Sequence, residues 1–419
     1  MVKSKPTIVF VIFMFMVVVS QAHVFDITKF GAKPGSEISK PLCDAWRAAC
    51  GTPAPSKLLI PKGQFCLNVI EFKGPCKARV EVQIDALLIG PKDPKVIPKG
   101  KQWITFSYIN GLTVSEYIDT TNIYIYHNHR DCDIVSGCGT LDGIGGAMAW
   151  PSNNPKKNAH HKKPCGLQYN LSFNFIQNAL ITGITSKDSK NFHVNVMSCT
   201  NVMFDKFHIL APAESPNTDG IHLGWSKHIT IRNSIIRTGD DCISIGDGCE
   251  NLHIEGVKCG PGHGISVGSL GRNPGEKPVK GVFVKNCVFT CTQNGVRIKT
   301  WPDSLPGEVA DMHFEHLQMD KVENPIIIEQ DYCPHGACSK SKPSLVKVHN
   351  IFIKDIKGTA TTPTVVKLRC SKANNGCENV RIHDIHLTYH GPHGPARQEC
   401  CNVKPIYSGS LVPPGCARS

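Results

Sequence analysis

Charged side chains are scarce in this 419-residue chain. Asp, Glu, Lys and Arg make up 19% of it, too few for a coiled coil. Aromatic residues stand at 7% and are not interleaved with Lys and Arg, so the pattern of a nucleic-acid binder is missing. No C-x₂-C pair is matched by histidines, which argues against a zinc site. Only one apolar stretch is notable, Ile8 to Val19, and its 12 residues fall short of the roughly 20 that span a bilayer. Helical periodicity is nearly absent. The one convincing case is Leu42, Ala45, Trp46 and Ala49 at i, i+3, i+4, i+7, an amphipathic helix of two to three turns.

What is present narrows the class. Hydrophobic residues reach 41%, enough to bury a large core and exclude a disordered chain. Lys3 and Lys5 precede the apolar run and Ser20-Gln21-Ala22 follows it, the layout of a secretory signal peptide over residues 1–22 rather than a membrane anchor. Twenty cysteines agree with an oxidising compartment. A secreted protein with no membrane association after cleavage is expected. Loss of the two lysines takes the formal net charge from +12 to +10, so an acidic partner is to be sought: pectin, an anionic membrane surface or a nucleic acid. Asn170-Leu171-Ser172 is the acceptor triplet for a glycan.

Length alone, at roughly 150 residues per domain, suggests two or three domains or one large solenoid or barrel. The strand pattern decides between them. Short apolar runs begin at Leu180, Val202, Ile229, Leu252, Val282, Met312, Ile351 and Val380, spaced 22 to 39 residues apart. Several are followed by turn residues and a second run, such as Cys242-Ile243-Ser244-Ile245. A period of roughly 20–50 residues marks repeat architectures. β-Branched strands without helices favour an all-β fold: a single-stranded right-handed parallel β-helix over residues 23–419, its hydrophobic N-terminal end plugged by the lone helix. A β-sandwich is the alternative, but its turns recur every 8–12 residues or so.

Three carboxylates fall at the coil spacing. Asp240 lies 21 residues after Asp219, and His263 lies 22 after Asp241. Stacked coils place Asp219, Asp240, Asp241 and His263 on one side of the solenoid. Arg297 and Lys299, two apart on a strand, share a face. Crowded carboxylates raise one another's proton affinity, and two carboxyl groups, one protonated and one activating water, suit glycosidic hydrolysis. A guanidinium nearby suits an anionic sugar. A calcium site from the same aspartates is the competing reading. Gly264-Ile265-Ser266-Val267-Gly268 matches a nucleophile elbow, but Ser266 sits in an alternating β run rather than a strand-turn-helix. The basic run Lys156 to Lys163 is taken as a solvated loop.

The four segments Asn217-Thr218-Asp219-Gly220, Gly239-Asp240-Asp241-Cys242, Gly262 to Ser269 and Arg297-Ile298-Lys299 together resemble those of plant polygalacturonases, glycoside hydrolase family 28. Likeness runs from about Val24 to Cys416. Lys190 to Val194, Val296 to Pro302 and Asp331-Tyr332-Cys333-Pro334 look most like the pollen-type exopolygalacturonase group. The resemblance implies a pectin-lyase-like solenoid that hydrolyses α-1,4-linked galacturonan with inversion, acting from the chain end, in the cell wall. It makes Asp240 the general acid, and has Asp219 and Asp241 position and activate water. His263 stands beside the acid. Arg297, Lys299, Tyr332 and Asn217 are substrate contacts. No cofactor and no metal are implied, the partner is polygalacturonate, and a monomer is expected. Endo action, or an inactive pectin-binding or allergen-like protein, are the alternatives. Within this frame Cys242 is expected to pair with Cys259, Cys370 with Cys377, and Cys400 or Cys401 with Cys416.

One segment departs from the family. Glu116 to Ser136 is rich in Tyr and His, has no Gly, and stands between Asn110–Ser115 and Gly137–Gly143, which family members join directly. It is expected to be an unspliced intron carried into the gene model, with a surface loop as the alternative.

Overall fold

A computed structural model describes residues 22–116, 139–148, 167–336, 338–339 and 341–416. Residues 1–21, nearly all of the Glu116–Ser136 segment and the basic run at 156–163 lie outside them.

The eight apolar runs form one ladder, the first entering it at Ala179 rather than the expected Leu180, whose side chain faces solvent. Ala179, Val202, Ile229, Leu252, Val282, Met312, Ile351 and Val380 are neighbours in parallel register. The next inward positions repeat the pattern as Ile181, Phe204, Ile231, Ile254, Val284, Phe314, Ile353 and Ile382, every one buried. Alternation sends these side chains in and their neighbours out, and each fully buried Ile or Phe contributes about 1.5–3 kcal/mol by leaving water. Among the described residues all strand pairs are parallel, assembled into a 21-stranded and an 11-stranded sheet. This is the parallel β-helix. Among the described residues no helix is long and apolar enough to cross a membrane.

The expected helix is α1 (Ser39–Gly51), and it buries Leu42, Ala45, Trp46 and Ala49. Trp46 meets the edge of Phe72, ring centroids 5.1 Å apart. Phe72 in turn begins an aromatic stack through Phe106 and Phe173 along the core of the 11-stranded sheet. The Cys50–Cys76 disulfide fixes the helix end. The helix therefore covers the apolar end of the solenoid.

The strand stacking continues across the anomalous segment. Asn110–Ser115 pairs with Val80–Ile84 on one side and Gln177–Thr182 on the other, and Thr140–Asp142 pairs with Leu87–Ile89 and Thr185–Lys187. Elsewhere in these coils the corresponding link is two residues, such as Gly183-Ile184 or Lys206-Phe207. Here it runs from Glu116 to Gly139, between two strands that both keep their places in the stack.

Cys242–Cys259, Cys370–Cys377 and Cys400–Cys416 are bonded, and Cys401 is free. Cys50–Cys76 and Cys333–Cys338 are bridges beyond those expected. The glycan expected at Asn170 does not fit this geometry. The residue is 2% exposed, and its amide donates to Ser186 Oγ and the Lys187 carbonyl, both at 3.0 Å. The nitrogen that would carry the sugar is used inside the fold.

Candidate active site

The 11-stranded sheet builds the site. His222, Ser244, Ser266 and Arg297 are successive neighbours in register. Asp219, Asp240, Asp241 and His263 lie in the bends that enter these strands, at Ile221, Ile243 and Ile265. The coils are locked there by the main chain. Gly220 N–H donates to the Asp241 carbonyl at 2.9 Å, and His263 N–H to the Asp240 carbonyl at 2.7 Å. Gly264 holds the bend after His263 at φ +80°, and a Cβ there would collide with the Asn294 carbonyl. Only glycine fits that approach.

The four residues expected from the spacing do come together. His263 Nδ1 contacts Asp240 Oδ1 at 3.0 Å. Asp240 keeps 29% of its side chain exposed, whereas Asp219 and Asp241 are buried. Burial, then the charges of Asp240 and Asp241, hold the Asp219 carboxyl well above the ordinary carboxylate range. Burial also works to raise Asp240, but the His263 hydrogen bond and charge outweigh it and keep that carboxyl low. His263 is the mirror case: burial would lower it, and Asp240 raises it on balance. The carboxyl that burial and crowding raise is thus Asp219, while Asp240 is held low by its contact with His263.

The basic pair is placed less simply. Lys299 Nζ donates to Asp241 Oδ2 at 2.7 Å, and Arg297 Nη2 to Glu329 Oε2 at 2.7 Å. Burial opposes the charge on Lys299, but Asp241 leaves it with a raised pKa. Tyr332 joins them: Arg297 lies 4.9 Å and Lys299 5.5 Å from its ring centroid, a cation–π arrangement. Asn217 is half-buried and donates to the side chain of Asn191.

Sequence reasoning missed the supporting residues. Ser266, dismissed as a nucleophile, is fully buried, and its hydroxyl donates to Asp241 Oδ1 at 2.8 Å. Ser244 hydrogen-bonds to the Asp219 carboxylate and lies 2.8 Å from His222 Nδ1. Burial pushes His222 down to about 4, so it is neutral. The period-2 alternation signalled that Ser244 and Ser266 face outward beside the aspartates; nothing in the sequence signalled Glu329. Asp240, Asp241 and His263 are the one group among the described residues whose donor atoms converge, within 4.8 Å, as metal ligands do. Asp241 is already paired with the Lys299 ammonium, a cation that a divalent ion would have to displace.

The arrangement offers a partly exposed carboxyl against an imidazole, a buried carboxyl of raised proton affinity, and two cations beside an aromatic ring. Comparison with known proteins agrees. The family model "Glycosyl hydrolases family 28" matches residues 50–411. A polygalacturonase of Nicotiana tabacum is 47% identical over 401 residues, covering 96% of this chain and 93% of that protein. An exopolygalacturonase of Platanus acerifolia is 45% identical, covering 94% of this chain and 98% of the relative. In fold, the endo-xylogalacturonan hydrolase of Aspergillus tubingensis superposes with a TM-score of 0.72 at 21% identity, over 93% of this chain and 100% of that one.

Proposed function

The chain belongs to the glycosyl hydrolases of family 28, and from that premise we propose that it hydrolyses the α-1,4-galacturonosyl linkages of pectin, removing residues from the chain end with inversion. The observation that carries the reading is the meeting of Asp219, Asp240, Asp241 and His263 beside Arg297, Lys299 and Tyr332. Carboxylates alone fit any glycoside; the cations beside them fit a uronate. The exopolygalacturonase relative supports the chain-end mode.

Asp240 is the acid because it is the least buried carboxyl of the three and lies against His263 Nδ1, which can hand it a proton. In the empty site that proton rests on the imidazole. A bound galacturonate adds negative charge, which raises the proton affinity of Asp240 and draws the proton from Nδ1 to Oδ1. From there it passes to the glycosidic oxygen as the bond to the anomeric carbon breaks. A water on the opposite face of the sugar forms the new bond and yields its proton to Asp219, the most basic carboxyl, while Asp241 orients it. Ser266 and Lys299 hold Asp241 in place, and Ser244 holds Asp219.

The test is incubation with polygalacturonate and analysis of products. Monogalacturonate alone supports the chain-end mode, a ladder of oligomers shows internal cleavage, and no new reducing ends from folded protein defeats the hydrolase reading. An extracellular setting accords with the five disulfides among the described residues. We further propose that residues 1–22 are removed, so that N-terminal sequencing of secreted protein should begin at His23. The Glu116–Ser136 segment is proposed as retained intron; a mature transcript carrying those codons would refute it.

A further inference from the structure

Both cations proposed to grip substrate are already neutralised within the protein, but in different ways. The partner of Lys299 is Asp241, which also accepts Ser266 and stands in the reacting cluster. The partner of Arg297 is Glu329, at the end of the strand Asn324–Glu329, which stands beside Lys299 in register. Glu329 makes a single-point contact through Oε2. Arg297 meanwhile keeps its Nε buried with no hydrogen-bond partner, although a guanidinium can hold a carboxylate by two parallel bonds. The side chains of Arg297 and Glu329 remain 13% and 19% exposed, with Arg297 against Tyr332. This is a cation held by an anion that does not satisfy it.

We propose that Glu329 is an internal stand-in for a substrate carboxylate: it occupies Arg297 in the empty site and is exchanged for a uronate carboxylate when the polymer binds. The proposal rests on the galacturonan reading above. Exchange means that a uronate wins only the difference between its own contact with Arg297 and the one Glu329 gives up. Glu329 thereby weakens substrate binding, keeps a polyanionic product from being held, and damps the salt dependence that an open cation would impose. It is a specificity-determining residue that touches Arg297 rather than the reacting atoms.

The experiment compares wild type, Glu329→Gln and Glu329→Asp by turnover on oligogalacturonates and, in parallel, by calorimetric binding of trigalacturonate. Glu329→Gln keeps the shape and removes the charge. Its KM and Kd are expected to fall about three- to ten-fold, by more than kcat changes, and to rise more steeply with added salt than those of wild type. Glu329→Asp restores the charge and should return both constants toward wild type. In an Arg297→Ala background the Glu329→Gln effect should vanish. An unchanged or raised KM and Kd for Glu329→Gln, or the same fall without Arg297, overturns the proposal. A wild-type protein that binds trigalacturonate without cleaving polygalacturonate defeats the hydrolase reading instead, and the binding comparison still decides the role of Glu329.

Discussion

Lys299 and Asp241, 58 residues apart in the chain, close an ion pair of 2.7 Å with side chains only 10% and 2% exposed. Two coils of the solenoid are thus joined beside the carboxylate cluster by charges largely withdrawn from water. Such a pair adds little net stability, because desolvation offsets the attraction, but breaking it strands the survivor. Lys299→Met should lower unfolding free energy by about 3–5 kcal/mol in urea titrations. The double variant with Asp241→Asn should recover part of that loss. A single variant as stable as wild type would show that water reaches Asp241.

Replacing the proposed acid should separate chemistry from binding. Asp240→Asn is expected to reduce turnover about 10²- to 10⁴-fold while circular dichroism and the affinity for trigalacturonate stay close to wild type. Activity within ten-fold of wild type would assign the acid role elsewhere.

The pH profile follows from three shifts. Turnover needs Asp219 ionised and the His263–Asp240 pair protonated. Asp219 is raised above its ordinary 3.8 and His263 above its ordinary 6.5, so kcat/KM should be bell-shaped, its acid limb set by Asp219 and its alkaline limb by His263. His263→Gln should move the alkaline limb. Stability has its own sign. The raised His263 contributes fully below 6.5 and is lost as pH climbs through its folded value. The lowered Asp240 contributes above 3.8 and is lost as pH falls through its folded value. The raised Asp219 favours the fold most below 3.8 and progressively less above it. Thermal unfolding should therefore peak in mildly acidic buffer and decline toward alkaline pH; a maximum above neutrality would contradict these assignments.

The Cys242–Cys259 disulfide begins one residue after Asp241 and spans 17 residues. Loop-closure entropy gives such a bridge about 3 kcal/mol. The Cys242→Ser, Cys259→Ser double variant should lose about that much in denaturant unfolding, and lose activity at temperatures where wild type retains it.

Asn170 should carry no sugar in secreted, active protein, because its amide is committed to Ser186 and Lys187. Peptide mass spectrometry should find it unmodified. Asn170→Ala leaves buried acceptors unpaired and should cost about 1–3 kcal/mol. A glycan at this position in active enzyme would mean that the local coil differs from the one described.

The sequence made the fold legible because a solenoid repeats its signal: Val202, Ile229 and Leu252 occupy the same inward position in consecutive coils, and each supports the reading of the others. Asp219, Asp240, Asp241 and His263 were found for the same reason, since coil spacing converts to stacking. The partner of Arg297 was not legible. Glu329 follows three isoleucines at a strand end, and nothing in spacing distinguishes it from a solvated carboxylate. The glycan triplet misled in the other direction, because a three-residue pattern carries no information about burial. Proton affinities were also out of reach: crowding predicted one raised carboxyl, but which one depended on the His263 contact at 3.0 Å.

Helix α1 also has a meaning for synthesis. In a fold whose strands pair only with the coil before and the coil after, a half-made chain ends in an open row of unpaired backbone groups. The helix precedes most of the strands in the chain and closes the first end against Phe72. With that end covered, a growing stack has a single open edge, the one on which the next coil is laid.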